Sequence, residues 1–461
     1  MSMYRTMANQ FVREIELGKL PQGSRLPSLR QISKQQSVSM STAVRCYQEL
    51  ESQGWIHARP QAGYYVSARK SQHQTPQIVP FISKVSSVNQ SFAIHSEYNG
   101  PLGVSSTDID EQALNELERS FRRASKRLGN SRLNQYPNTQ GEPSLRDALS
   151  VHFSKCGLHI NPAELVITSG CMPAIKSALE SCTQVGDAIA ISSPCFSGIL
   201  DLLGKMGRKI VEIPSLEDGI DLAQLESHLK QSSVKAGIFC TSHMNPQGIT
   251  MSAQQKQTLA ELANQYQVPI IEDDVYLELS YSEHTPLPAK YYDQGGYILW
   301  CGSVSKSLSP SYRLGWCLPG CYIERYRQQH TASSFGVSLP TQLGIADFIE
   351  SGHYAKQLKR RRTKLLNLRR AYLGFLTERL PEKVNISNPQ GGMVLWLQVP
   401  DLDSEKFESL MAKNQIDIRL GRLFSTLSLY NDCLRINMGF ELTNEVKAEL
   451  VKLVEAIKQA C

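Results

Sequence analysis

The run GSVSKSLSPSYRLGW, residues 302–316, gathers complementary side chains around one lysine. Ser303 and Ser305 flank Lys306, and Arg313 follows seven residues after it. Hydroxyls and a guanidinium close to a lysine make a cradle for a phosphate and leave the amine free to attack a neighbouring carbonyl. Phosphate, aldehyde and lysine together describe pyridoxal phosphate. An isolated SxSK spacing also suits a surface lysine in a serine-rich loop, so the rest of the chain has to decide.

A second concentration of chemistry lies at the N-terminal end. Residues 1–70 hold ten Lys and Arg against four Glu, a balance of +6, which is the formal net charge of the whole 461-residue chain. Local charge attracts phosphates, so a basic module joined to a neutral body suggests a polyanion partner for the module alone. A solvated basic surface is the competing account.

The elements that would position these groups can be read from the pattern. Met3, Met7, Phe11 and Ile15 predict an amphipathic helix ending near Gly18. A short helix over Ser28–Gln35 follows, and Ser39 caps a third helix that turns Val44, Tyr47 and Leu50 inward and stops at Gly54. Two strand-like runs, Trp55–Arg59 and Tyr64–Val66, turn at Gly63. That order is a winged helix-turn-helix over residues 1–70. Residues 71–105 are Ser- and Gln-rich without a period and predict a linker. From about residue 130 to 320, buried apolar runs such as ELVIT, DAIAIS, VPIIED and GYILWCG alternate with helices, the pattern of a parallel sheet covered on both faces. Residues from about 321 to 461, with helices around Lys356–Leu380 and Asn444–Ala460 and strands Val394–Gln398 and Leu434–Asn437, predict a smaller α+β lobe. The fold class is thus multidomain, an N-terminal reader followed by an α/β domain over 106–461.

Ordered blocks in that domain resemble the fold type I, class I aminotransferases: YPNTQGEPSLRDAL, VITSGCMPAI, SSPCFSG, MNPQG, IEDDVY, the Lys306 block, GGMVLWL, GRLFS and LRINMGF. The resemblance implies roles residue by residue. Lys306 would carry pyridoxal phosphate, and Asp273 would keep its pyridine nitrogen protonated. Tyr276 and Asn245 would bond the phenolic oxygen, and Phe196 would stack on the ring. Gly170, Cys171 and Met172 would open a helix whose N–H groups face the phosphate, beside Ser303, Ser305 and Arg313. Arg435 would clamp a substrate carboxylate, and Tyr136 would reach the phosphate of another subunit. Two departures stand out. Cys171-Met172-Pro173 replaces a small residue followed by Gln, which predicts a weaker phosphate cup. The stretch 95–125 carries no recognisable form of the family's substrate-side segment.

The block PQGSRLPSLRQISKQQSVSMSTAVRCYQELESQGWI resembles the GntR family of winged-helix regulators. By that resemblance Ser28, Arg30, Ser41, Thr42 and Arg45 face phosphates or base edges in the major groove, and Arg59 and Arg69 flank the wing. Met40 stands where the family commonly has Arg, so base preference at that position is not readable. A GntR reader fused to an aminotransferase-like domain is similar to the MocR subfamily. The resemblance implies a head-to-tail homodimer, double-stranded DNA as partner, and pyridoxal phosphate with an amino acid or amine as signal.

Two functions remain in competition: a regulator that senses ligand, and a working aminotransferase whose DNA binding is secondary. Eleven cysteines without CxxC or Cys/His spacing support neither disulfides nor a metal site. The absence of an apolar leader or an eighteen-residue apolar run predicts a bacterial cytoplasmic location, nucleoid-associated when bound to DNA, with no membrane partner. Gly198…Gly204-Lys205 imitates a nucleotide loop, but its spacing is one residue too long and Met206 replaces the needed hydroxyl.

Overall fold

The protein was analysed as a computed structural model that describes residues 3–16, 19–21, 23–52, 54–59, 62–67, 73–88, 92, 100–282 and 285–461. It divides into two compact units, Met1–His73 and Gln74–Cys461.

The first unit contains α1 (Met3–Glu16), α2 (Leu29–Gln35), α3 (Met40–Ser52) and an antiparallel hairpin of β1 (Ile56–Arg59) with β2 (Gly63–Val66). Ser28 starts α2 through a capping box: its hydroxyl accepts from Gln31 N–H, and the Gln31 side chain accepts from Ser28 N–H. Ser39 accepts from the Thr42 N–H at 3.2 Å and starts α3. Gly54 ends α3 at φ 74°, a left-handed conformation that a Cβ would oppose. On α3 the buried stripe is Ala43, Cys46, Tyr47 and Leu50, while Val44 is half-buried. Helical spacing places 43, 46, 47 and 50 on one face, which corrects the expected inward Val44. Met7 is buried, whereas Met3 stays 63 % exposed, so the stripe of α1 begins one turn late. The Tyr47 hydroxyl donates to Pro27 O at 2.8 Å, which satisfies the polar tip of an otherwise apolar anchor.

The second unit is built on a sheet of nine strands: β3 (Val85–Ser87), β4 (Val166–Thr168), β5 (Ala188–Ser193), β6 (Lys209–Leu216), β7 (Gly219–Ile220), β8 (Ala236–Phe239), β9 (Ile270–Asp273), β10 (Ile298–Ser303) and β11 (Gly315–Leu318). Strands β6, β5, β8, β9 and β10 run parallel, β11 and β4 close one edge antiparallel, and β3 closes the other. Every residue of β5 and β10 is buried, because helices cover both faces of a parallel sheet. The covering helices include α4 (Glu111–Leu133), α5 (Pro143–Ser154), α6 (Cys171–Cys182), α7 (Ser197–Lys205), α8 (Leu222–Lys230) and α9 (Ala253–Tyr266). One turn, α10 (Val304–Ser307), carries Lys306, and α11 (Ile323–Ser333), α12 (Leu339–Glu350) and the long α13 (His353–Thr377) follow. A second sheet of β12 (Asn385–Ile386), β13 (Val394–Gln398), β14 (Arg419–Leu420) and β15 (Cys433–Asn437) is antiparallel in the order β12-β13-β15-β14, with α14 (Ser404–Asn414) and α15 (Asn444–Ala460).

Two expected boundaries move. Ile345, Phe348 and Tyr354 share one core with Leu145, Trp300 and Trp316, and Tyr326 shares another with Leu299 and Cys317, so α11, α12 and the start of α13 belong to the large lobe. The small-lobe core begins within α13 at Tyr372, not at residue 321. The stretch 71–105 is not a linker throughout: Val85–Ser87 pair with Lys209–Val211, and Leu102 is fully buried in the small-lobe core. Its polar composition concealed a strand of three residues and one apolar anchor. A chain beginning at Gln74 is therefore expected to melt at a higher temperature than one beginning at Val104, which loses the β3 ladder and Leu102. Burying Leu102 alone is worth roughly 1.5–3 kcal/mol, and a thermal melt of both fragments reads the difference. Equal melting temperatures would refute the assignment of residues 74–103 to this unit.

Candidate functional site

The carboxyl ends of the parallel strands deliver the expected chemistry to one edge of the sheet, where open α/β sheets bind their ligands. Asp273 ends β9 and lies opposite Cys301 of β10, and β10 runs on through Ser303 into the turn that holds Lys306. The chain after β8 brings Asn245, the chain after β5 brings Phe196, and the chain after β4 brings Cys171. Asp273, Lys306, Asn245, Phe196 and Cys171 border a cavity of about 320 Å³ together with Met172, Tyr276, Ser305, Arg313 and Arg435. Alternation along β9 turns Asp273 into the cavity and Glu272 away from it. Glu272 is anchored behind by Thr241 Oγ1 at 2.5 Å and by the N–H groups of Ala289 and Lys290, while Asp274 accepts from Trp300 Nε1 at 3.0 Å.

Asp273 Oδ1 accepts from the Cys171 thiol at 3.2 Å and from Val275 N–H at 3.4 Å. Among the described residues no group donates to Oδ2, which leaves it for a cationic donor in the cavity. Burial raises this carboxyl above its usual value, opposed by the thiol, the Val275 N–H and the Lys306 charge. Burial, with the Arg435 guanidinium adding to it, pushes the Lys306 amine down to about 8. Lys306 Nζ donates to Ser105 O at 2.5 Å and lies 5.9 Å from the Tyr276 ring centroid. The Tyr276 hydroxyl, pushed up to about 12 by burial, shares a hydrogen bond of 2.8 Å with Ser105 Oγ.

Arg435 projects from β15 and is fully enclosed. It donates to Asn245 Oδ1 at 3.3 Å and to Gly103 O, and among the described residues its Nε has no partner. Burial draws its guanidinium down to about 10, so it keeps its charge at neutral pH. A buried cation with donor capacity to spare is suited to a carboxylate. Gly170 opens α6 at φ 122°, and a Cβ there would stand 2.9 Å from the Arg313 guanidinium. The close approach brings Arg313 beside the free N–H groups of a helix N-terminus, an anion site by geometry. These features fit a phosphorylated pyridine aldehyde: an open carboxylate oxygen, a partly neutral amine, an anion cradle and a spare guanidinium.

Ser303 lies elsewhere, and Tyr136, expected at the phosphate of another subunit, stands apart from this cavity. Ser303 is buried behind the cavity, where its hydroxyl pairs with Ser305 and caps α10. Tyr136 is 87 % exposed and stands beside Phe335 and Leu133, away from this chain's own cavity. Gly103, Val104 and Ser105, predicted as linker, line the cavity and touch Lys306, Tyr276 and Arg435. Arg419 was also missed; it borders the cavity and pairs with Asp417. Cys171 opens α6 as expected and has a further use, because its thiol holds Asp273.

In the first unit Arg30 is exposed on α2 and Arg45 half-buried on α3. The Ser41 and Thr42 hydroxyls bond Ser39 Oγ at 2.8 and 2.9 Å at the start of α3. Arg59 lies over the Tyr65 ring, 4.4 Å from its centroid, on the exposed side of the hairpin. Arg69 lies outside the described residues.

Residues 101–454 match the family described as aminotransferase class I and II, and residues 3–66 match the bacterial regulatory proteins of the gntR family. The chain is 32 % identical to the uncharacterized HTH-type transcriptional regulator YdcR of Escherichia coli (strain K12), over 99 % of both chains. The chain belongs to the MocR-type regulators. It is also 26 % identical to aromatic-amino-acid aminotransferase 1 of Thermococcus litoralis, over 70 % of this chain and 80 % of that one. The kynurenine aminotransferase of Pyrococcus horikoshii matches in structure with a TM-score of 0.71 at 25 % identity, covering 78 % of this chain and 91 % of that one. In this MocR-type chain the aminotransferase match begins at residue 101, so the cavity-lining Gly103–Ser105 fall inside it.

The lowered Lys306 amine gives a test. An amine is nucleophilic only when neutral, so the rate at which it captures pyridoxal phosphate is expected to rise with pH through about 8, as deprotonation proceeds. Replacing Arg435 with Gln removes a repelling positive charge, stabilises the ammonium and shifts that midpoint upward. A stopped-flow pH series on both proteins checks this; a midpoint near that of a free lysine in the unmodified protein would contradict it.

Proposed function

We propose that this protein is a pyridoxal phosphate-dependent transcription regulator whose second unit senses an amino acid, an amine or pyridoxal phosphate itself and whose first unit reads double-stranded DNA. The observation that carries this reading is the convergence of Lys306, Asp273 and Arg435 on one cavity of a chain whose other unit is a winged helix-turn-helix. When bound, pyridoxal phosphate supplies an aldehyde for amines and a protonated ring that withdraws electrons. Asp273 Oδ2 would hold the ring nitrogen's proton, with Oδ1 fixed by Cys171 and Val275. Tyr276 and Asn245 would meet the phenolic oxygen, Phe196 the ring face, and Ser305, Arg313 and the N–H groups of Cys171 and Met172 the phosphate. Arg435 would hold a ligand carboxylate.

A head-to-tail homodimer belongs to the same reading. Tyr136, Phe335 and Leu133 are 87 %, 70 % and 57 % exposed, an apolar patch that a second copy would cover while Tyr136 reached the partner's phosphate. A working aminotransferase is the second reading, favoured because the lysine, the aspartate and the arginine are all present. The reader argues for regulation. A sensor needs only a ligand that stabilises one of two states, whereas an enzyme must also move a proton, close and release product.

Two outcomes are expected. DNA affinity of the full chain should change when pyridoxal phosphate and then an amino acid from a panel are added, and Lys306→Ala should flatten the response. Product assays on the same samples separate the readings, and unchanged DNA affinity beside steady turnover would favour the enzyme. Arg59→Ala should weaken binding to specific and random duplexes alike and flatten its salt dependence, as loss of a phosphate contact does. Arg45→Ala should cost on the order of 1–3 kcal/mol on the preferred site and less on random DNA. Fluorescence anisotropy across a salt series reads both.

A further inference from the structure

Arg361 of α13 is only 5 % exposed, and among the described residues no carboxylate lies within ion-pair distance of its guanidinium. Its partners are three backbone carbonyls. Nη1 donates to Lys306 O at 2.9 Å and to Leu308 O at 3.1 Å, and Nη2 donates to Asp108 O at 3.0 Å. Burying a cation is costly unless its donors are satisfied, so the placement has to be explained by what it holds.

Two segments meet there. The first is the turn that presents Lys306: α10 is a single turn in which Leu308 N–H and Ser309 N–H both return to Val304 O, leaving Lys306 O and Leu308 O to another donor. The second is the segment that crosses the cavity, whose Gly103 and Ser105 carbonyls face Arg435 and Lys306. The same helix grips the turn from its other side, where the Tyr354 hydroxyl bonds Ser307 Oγ at 2.7 Å and Glu278 Oε2 at 2.5 Å.

We propose that Arg361 is a positioning residue: it holds the backbone of Lys306 and the backbone of Asp108 at a fixed separation, and so sets both the reach of the lysine amine and the position of the segment over the cavity. This rests on the reading of Lys306 as the cofactor lysine. A planar guanidinium can serve three carbonyls in a fixed fork, which the single ammonium of a lysine cannot do.

The test uses the full chain with Arg361→Gln and Arg361→Lys. In Arg361→Gln, amide exchange in peptides covering 101–110 and 303–314 is expected to quicken on the order of tenfold, as loss of buried hydrogen bonds to a charged group implies. Exchange in the sheet should be unchanged. With pyridoxal phosphate added, visible circular dichroism per bound cofactor should fall, because the lysine no longer fixes the ring's attitude. Arg361→Lys should recover part of both. Unchanged exchange in the two segments, or a uniform acceleration over the whole chain, overturns the proposal. A wild-type protein that gains no visible band, while Arg361→Gln still loosens both segments, sinks the cofactor reading and leaves Arg361 as the tie between them.

Discussion

The parallel pairing of β9 with β10 is the constraint on which the larger unit depends. Cys301 lies opposite Asp273 in that ladder, where β9 ends, and β10 continues for two residues to Ser303 before the lysine turn. One ends in a carboxylate and the other continues into the lysine turn. Neither group could be held dry and close on a surface loop, because each unpaired charge would draw water. The sheet meets the cost from behind. Glu272 is bound by one hydroxyl and two N–H groups, and Lys256 Nζ donates to Ser242 Oγ at 2.9 Å and Leu287 O at 2.8 Å. With its neighbours fixed, Asp273 is left with one oxygen committed and one open.

The small lobe supplies what the sheet lacks. Arg435 comes from β15 and reaches the same cavity, where residues 100–110 also pack. Leu102 enters the small-lobe core, Asn437 Nδ2 donates to Pro101 O and Ser106 O, and Asp110 pairs with Arg360. This stretch therefore belongs to the site as much as any strand does. It also stands at the N-terminal edge of the aminotransferase-type match in the sequence. A ligand that engages Lys306 or Arg435 has to contend with the carbonyls of Ser105 and Gly103.

Sequence patterning exposed the elements whose burial is extreme. Strands β5 and β10 are buried on both faces and stand out as continuous apolar runs, and helices α13 and α15 announce themselves by length and period. It failed where structure is made by backbone and isolated residues. Val85–Ser87 pair as an edge strand with little apolar content, and Gly103 and Ser105 act through carbonyls that every residue type possesses. Val44 was misread because a β-branched residue looks more core-like than Ala43 or Cys46, although these two sit closer to the centre of the helix face. The small-lobe boundary was misplaced for a related reason: α11 and α12 carry a mixed surface, and only the burial of Tyr326 in the core of Leu299 and Cys317, and of Ile345 and Phe348 in the core of Trp300 and Trp316, shows which lobe owns them.

Cys171 shows how a departure from a family pattern can be compensated. Pro173 lacks an N–H and Met172 brings no side-chain donor, so the start of α6 offers an anion less than it could. The Cys171 side chain adds no donor there, but its thiol donates to Asp273 Oδ1. Burial holds that thiol well above its ordinary value, which favours the proton on sulfur and so the donor role towards Asp273. The same burial would favour a protonated carboxylic acid at Asp273. A cation set against Oδ2 reverses that preference, since an opposite charge within a few ångströms favours the carboxylate. On the proposed reading, the helix start would give up some hold on phosphate while fixing the carboxylate that would receive the ring nitrogen. For a sensor, whose ligand must be able to leave, that is a workable distribution of binding.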